Sequence, residues 1–160
     1  MRNKPTALQK IRSIADYQFG KDVGERLFPD DVEVVYARTG RIRRIYLDER
    51  MLATLRPRDG LFSLTVAGAK RLWECVQPRR LWVRVQDEAA PFVVKGRSVF
   101  AKYVVDADED VRPQEEVVVI STQNEVLAVG RAMLSGREMK KFKRGVAVKI
   151  RRGAAEEEES

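Results

Sequence analysis

Arg137, Lys140, Lys141, Lys143, Arg144, Lys149, Arg151 and Arg152 fall in one short stretch that holds a single acid, Glu138. A solvated protein face normally mixes both signs of charge. Eight cations against one anion suit a polyanion instead, because Lys and Arg that replace the condensed counterions of a phosphate chain gain the free energy of releasing them. Neutralising about five phosphates would make affinity fall with salt at a log–log slope of about −4 to −5, shallower for a single strand. A purely solubilising surface is the alternative account. A second group, Arg38, Arg41, Arg43 and Arg44, flanks Thr39 and Gly40. Strand alternation puts Arg41 and Arg43 on one side, with Ile42 and Arg44 on the other. The alternative for this group is ion pairing with Asp30, Asp31 or Glu33.

Other chemistries lack their residues. The chain has one cysteine, Cys75, and no histidine. It therefore forms no intrachain disulfide and has neither a histidine general base nor the usual Cys/His zinc site. Cys75, in "AKRLWECV", reads as a small packed apolar group. Asp106, Asp108, Glu109 and Asp110 are close in sequence, but without further ligands they read as a turn whose Asp side chains bond local backbone. No catalytic residue, metal ligand or cofactor is assigned.

The 160 residues suffice for one medium domain or two small ones. Of the 24 acids, four are Glu156 to Glu159, so the rest of the chain sets 31 cations against 20 acids. Nucleic acid or an anionic membrane surface would both satisfy that excess. No apolar run approaches the roughly 18 to 20 residues of a membrane span. The start, Met1 to Lys4, lacks the apolar core of a signal peptide, which leads to a cytoplasmic expectation.

The elements that must position the cations follow from pattern. In "PTALQKIRSIADYQFG", Thr6 and Gln9 have capping-box spacing, Leu8, Ile11, Ile14 and Ala15 share a helical face, and Gly20 stops the helix. "KDVGERLF" reads as a short second helix ended by Pro29. "VEVVYAR" and "RIRRIYLD" form a hairpin around Thr39 and Gly40. "MLATLRPRDGLFSLTV" continues the sheet through a turn from Pro57 to Gly60. It leads into a helix on which Val66, Ala69, Leu72, Trp73 and Val76 share a face. A boundary falls near 79, giving an α+β domain over 1–78. Beyond it come short strands, "LWVRVQ", "GRSVFAKYVV", "EVVVIS", "QNEVLAVGRAML" and "RGVAVKIRRG", with helical turns at "DEAAPFVV" and "SGREMKKF". This pattern predicts a barrel or barrel-like sheet. The unbroken apolar run in "EVVVIS" suits a strand buried on both sides. In "KGRSVFAKYVVDAD" one continuous strand puts Val99, Ala101, Tyr103 and Val105 on one face and Ser98, Phe100, Lys102 and Val104 on the other. "AAEEEES", residues 154–160, reads as a disordered acidic tail.

From about 80 to 153 the sequence resembles a PUA domain, a small RNA-binding pseudo-barrel. The residues that carry the likeness are "KGRSVFAKYVVDADEDVRP", "EEVVVI", "LAVGRAMLSGREM" and "RGVAVKIRRG", in the family's order and spacing. The form "VFAKYVVDAD" is similar to the C-terminal part of archaeal tRNA-guanine transglycosylase and archaeosine synthase. "ADYQFG", "RTGRIR", "LRPRDGLFSLT" and "GAKRL" resemble the small domain that precedes PUA there. The resemblance implies an α+β chain in which a pre-PUA domain is followed by a mixed β pseudo-barrel over 79–153. The catalytic barrel of those enzymes, with its nucleophilic carboxylate and cysteine-rich zinc site, has no counterpart here. One departure is Gln114 after Pro113, where many relatives have a Pro-Gly turn.

The resemblance also implies where RNA lies. In PUA domains the glycine loop and the strand after it face RNA, which here means Gly96, Arg97, Ser98 and Lys102. Glycine lets backbone N–H groups approach a phosphate, and flanking cations add charge-assisted contacts. A turn that simply needs positive φ is the alternative for Gly96. The expected function is non-catalytic RNA binding, with tRNA gripped at its acceptor stem and 3′ end in support of modification, alone or beside a transglycosylase-type catalytic subunit. The rival readings are a ribosome-associated PUA factor and a carboxylate-dependent RNA-modifying enzyme. The glutamate tail is expected to compete weakly with RNA for the basic surface.

Overall fold

The computed structural model describes residues 6–159. Met1 to Lys4, on which the absence of a signal peptide is argued, lie outside the described residues. The chain divides into two compact units, Met1–Pro78 and Arg79–Ser160.

In the first unit, helix α1 (Ala7–Phe19) begins at the predicted capping box. The Thr6 hydroxyl accepts from the Gln9 N–H at 3.1 Å, and the Gln9 side chain accepts from the Thr6 N–H at 2.8 Å. Gly20 closes the helix, and Ile11, Ala15 and Phe19 are buried. Helix α2 (Val23–Leu27) stops two residues before Pro29. Strands β1 (Glu33–Tyr36), β2 (Ile42–Leu47), β3 (Arg50–Leu55) and β4 (Phe62–Leu64) form an antiparallel meander in sequence order, with Gly40 at φ 85° in the first hairpin. Helix α3 (Val66–Cys75) starts at the Thr65 cap and buries Ala69, Leu72 and Trp73. The Gln18 amide joins α1 to β4 as a strand neighbour would. It donates to the Phe62 carbonyl at 2.9 Å and accepts from the Phe62 N–H at 2.7 Å. Phe28 and Phe62 meet edge to face in the core at 5.3 Å.

The second unit runs β5 (Trp82–Val85), α4 (Ala90–Val93), β6 (Val99–Phe100), β7 (Val104–Ala107), β8 (Glu116–Ile120), β9 (Val126–Ala132), α5 (Gly136–Lys141), β10 (Val146–Gly153) and α6 (Ala154–Glu159). Its six strands are ordered β6-β10-β9-β8-β5-β7, antiparallel except for the β5–β8 pair. This is the mixed pseudo-barrel expected. Every residue of β8 is buried, as its apolar run predicts.

The continuous strand expected over 96–105 is broken. β6 and β7 lie at opposite edges of the sheet, yet a 3₁₀ turn of three residues, Ala101–Tyr103, is all that separates them. At about 2 Å of rise per residue such a turn spans only about 6 Å. The sheet must therefore curl until its edges nearly touch, and no straight strand could pair at both. Alternation holds for buried Val99 and Ala101, then slips, leaving Val105 exposed.

Two further departures are local. Gln114 adopts φ 78°, the left-handed conformation that glycine takes without strain, and its N–H donates to the Ala132 carbonyl at 2.7 Å. The turn keeps its place on β9, and the barrel survives the exchange. The tail expected to be disordered carries α6. Its Ala155 N–H donates to the Val94 carbonyl at 2.9 Å, and its Glu156 carboxylate accepts from the Gly153 N–H at 2.8 Å. Composition argued for disorder, but these two bonds dock the segment on the barrel.

Candidate nucleic-acid interface

The basic stretch 137–152 occupies α5, the loop after it and β10. Ser135 and Glu138 form a capping box, so the stretch's single acid is turned back to the start of α5, where it accepts from the Ser135 N–H at 2.9 Å. Lys140 is held by Glu109 at 3.1 Å and Asp106 at 3.3 Å. These bonds, that to Glu109 foremost and then that to Asp106, raise its pKa above the ordinary lysine value. Arg137 approaches Glu109 at 3.6 Å. The cations at the start of the stretch thus have protein acids for partners. Lys141, Lys143, Arg144, Lys149 and Arg152 are exposed and, among the described residues, form no ion pair.

Arg151 differs from its neighbours. Its guanidinium takes Glu116 in a fork, with Nη1 on Oε1 at 2.8 Å and Nη2 on Oε2. The Glu116 side chain is 1% exposed. Strand pairing aligns Glu116 with Arg131 and Arg131 with Lys149, while the register shift between Ile150 and Arg152 makes Arg151 the extra residue of β10. Arg131 Nε is buried and without a hydrogen-bond partner among the described residues. The register thus places Arg131 and Lys149 in line with Glu116, while the ion pair itself is made by Arg151.

Of the acidic group, only Glu109 and Asp110 lie in the turn expected, whereas Asp106 belongs to β7 opposite Arg84. Asp106 accepts from the Ala107 N–H at 2.9 Å, and Asp108 accepts from the Asp110 N–H at 3.0 Å and the Leu81 N–H at 2.7 Å. Among the described residues no group of three acids or thiols is arranged to hold a metal ion.

The Gly96 loop follows α4. Gly96 has φ 96°, its N–H donates to the Val93 carbonyl at 2.9 Å, and the Arg97 N–H donates to the Phe92 carbonyl at 3.1 Å. Contrary to expectation, these N–H groups do not wait for a phosphate, because both are already spent within the protein. The positive φ accounts for the glycine, and what the loop offers a polyanion is the exposed side chains of Lys95 and Arg97, with Ser98 half-buried beside them. Lys102 is exposed in the 3₁₀ turn, its Nζ 5.0 Å from the centre of the Tyr103 ring. The Ala101 N–H donates to the Gly145 carbonyl at 2.9 Å, which brings Lys102 toward the loop that carries Lys143 and Arg144.

Two aromatics in this region escaped the sequence reading. Phe100 is 48% exposed on β6, and Phe142 is 44% exposed at the end of α5. Phe142 was findable: "KKFKR" interleaves an aromatic with four cations, the pattern of a stacking platform in a phosphate channel.

In the first unit Arg41, Arg43 and Arg44 are all exposed. The expected alternation fails because the β1–β2 register jumps from Tyr36↔Ile42 to Val35↔Arg44, leaving Arg43 as the extra residue of a bulge. The ion-pair alternative fails too. Asp30 is taken by Arg12 at 2.9 Å, and Arg38, Arg41, Arg43 and Arg44 form no ion pair among the described residues.

Residues 82–154 match the PUA domain family. The second unit is a PUA domain. Residues 9–79 match the patch-forming domain C2 of tRNA-guanine transglycosylase. The protein is similar to the tRNA-guanine(15) transglycosylases of Pyrococcus abyssi, at 45% identity over 94% of this chain, and Pyrococcus furiosus, at 47% over 96%. The chain spans 26% of the length of each, and the match lies in their C-terminal part. A hypothetical protein from Pyrococcus horikoshii OT3 superimposes with a TM-score of 0.74 at 25% identity, covering 94% of this chain and 93% of that one. A conserved PUA domain protein from Thermoplasma acidophilum shares the fold, with a TM-score of 0.66 at 22% identity over 89% and 85% of the two chains. PUA is an RNA-binding module, which sets the exposed cations of this protein in the context of RNA.

Proposed function

We propose that this PUA-domain protein binds tRNA at the acceptor stem and 3′ end in support of tRNA modification, and that it carries no catalysis of its own. The observation that carries the reading is the set of exposed cations, Lys141, Lys143, Arg144, Lys149 and Arg152, that have no acid partner among the described residues, on a PUA barrel. Arg97, Ser98 and Lys102 extend the contact past Gly96. Lys140 and Arg151 contribute less, since each already serves a carboxylate. Arg41 and Arg43, with Arg44, form a phosphate-binding surface of the first unit. Phosphate and 2′-hydroxyl contacts from such residues hold a stem without reading its sequence, and Phe100 and Phe142 give unpaired bases at its end a face to stack on.

Similarity to the C-terminal part of the transglycosylases supports a role beside a separate catalytic chain of that type. The test is quantitative binding to tRNA with and without its 3′ end over a salt series. The expected result is tighter binding to the intact RNA, with a log–log slope of about −4 as about five phosphates are neutralised. Weak binding, equal for both and insensitive to salt, overturns the proposal. Base exchange or a new nucleoside after incubation of the pure protein with tRNA, guanine analogues and metals would favour an enzyme. Cofractionation with ribosomal subunits would favour a translation factor.

A further inference from the structure

We propose that α6 is an intramolecular competitor for RNA at the Gly96 loop, with the Glu156 carboxylate lying where a backbone phosphate is to bind. The inference rests on the reading of this loop as an RNA contact. A Cβ added to Gly96 would come within 2.3 Å of Glu156 Oε1 and 3.1 Å of Oε2, so both carboxylate oxygens lie against the open side of the glycine. Lys95 and Arg97 flank that point and are exposed. The carboxylate thus covers the glycine that separates these two cations in sequence, and among the described residues neither cation forms an ion pair with it.

The competitor is seated through its first residues. The Glu156 carboxylate accepts from the Gly153 N–H, and the Ala155 N–H donates to the Val94 carbonyl, the residue next but one before Gly96. The six residues of α6 are too few to form a stable helix without docking, since isolated helices shorter than about 12 residues are marginal in water. A phosphate that approaches Gly96 between Lys95 and Arg97 meets the Glu156 carboxylate already lying there. The carboxylate and the phosphate repel each other, so both cannot occupy that place. Glu157 and Glu158 add negative charge that moves off the surface together with α6.

The experiment compares Glu156→Gln with Glu158→Gln in the full chain, using tRNA as the probe at low salt. The two substitutions change net charge equally, and Glu158 is exposed. Glutamine at 156 keeps a carbonyl for the Gly153 N–H, so the barrel remains folded. The expected result is about five- to tenfold tighter binding for Glu156→Gln, the difference between a charge-assisted and a neutral contact, against less than about twofold for Glu158→Gln. Equal gains from both variants would mean a general charge effect and overturn the inference while leaving the function standing. A direct readout is the Gly153 amide resonance in the wild-type protein saturated with tRNA. It is expected to shift as the carboxylate leaves, and a resonance that stays in place overturns the inference. Failure of every variant to bind tRNA sinks the functional reading itself, and the inference with it.

Discussion

Replacing Lys141, Lys143 and Arg144 together by alanine is expected to weaken RNA binding about thirty- to hundredfold at low salt and to flatten the log–log salt dependence by about two to three. Each of the three side chains is exposed and without an acid partner among the described residues, so the charge removed is charge available to phosphate. Stability is expected to change by no more than about 0.5 kcal/mol, because no packing or buried bond is lost. Lys140→Ala is the informative control, since its ammonium is already bonded to Glu109 and Asp106. It is expected to cost less than any member of the trio. A triple variant that binds with unchanged salt slope would show that phosphates do not lie on this loop.

Arg151→Ala is expected to be mainly a stability lesion, with a loss of about 2–3 kcal/mol measured by urea unfolding. The sequence places Arg151 among the RNA-contacting cations. The structure gives its guanidinium to Glu116, whose carboxylate is buried in β8 between neighbouring strands. Removing the fork leaves a buried carboxylate without the cation that offsets its desolvation, and such removals cost more than the pair contributes. The Arg151 side chain is 37% exposed, which keeps the expected loss below that of a fully buried pair. Glu116→Gln is expected to cost less, because the freed guanidinium can turn to water while the amide still accepts a bond. An Arg151→Ala protein as stable as wild type would show that the pair is incidental.

Much of the molecule follows from local rules. Thr6 with Gln9, Gly20 after Phe19 and the apolar spacing of Ile11 and Ala15 each specify α1 without long-range help, and the run in β8 announces its burial by composition alone. What could not be read depends on partners remote in sequence. The break at Ala101–Tyr103 exists because β6 pairs with β10 and β7 with β5, which no pattern within residues 95–108 contains. The exposure of both Arg43 and Arg44 depends on a bulge set by pairing with β1. The order in α6 depends on the carbonyl of Val94, far back in the sequence beside the Gly96 loop. The candidate site was legible as composition, a surplus of cations, but not as accounting. Only the fold shows that Arg151 and Lys140 are engaged, and that the Gly96 N–H is spent.

The strand order β6-β10-β9-β8-β5-β7 also constrains how the barrel is made. The last strand in sequence sits inside the sheet, next to one of the earliest, whereas the first unit's strands each neighbour the one made just before. During vectorial synthesis the meander can assemble as it emerges from the ribosome. The barrel cannot complete its ladder until Gly153 has left the exit tunnel, so through most of its translation β6 has no neighbour and waits as an open edge.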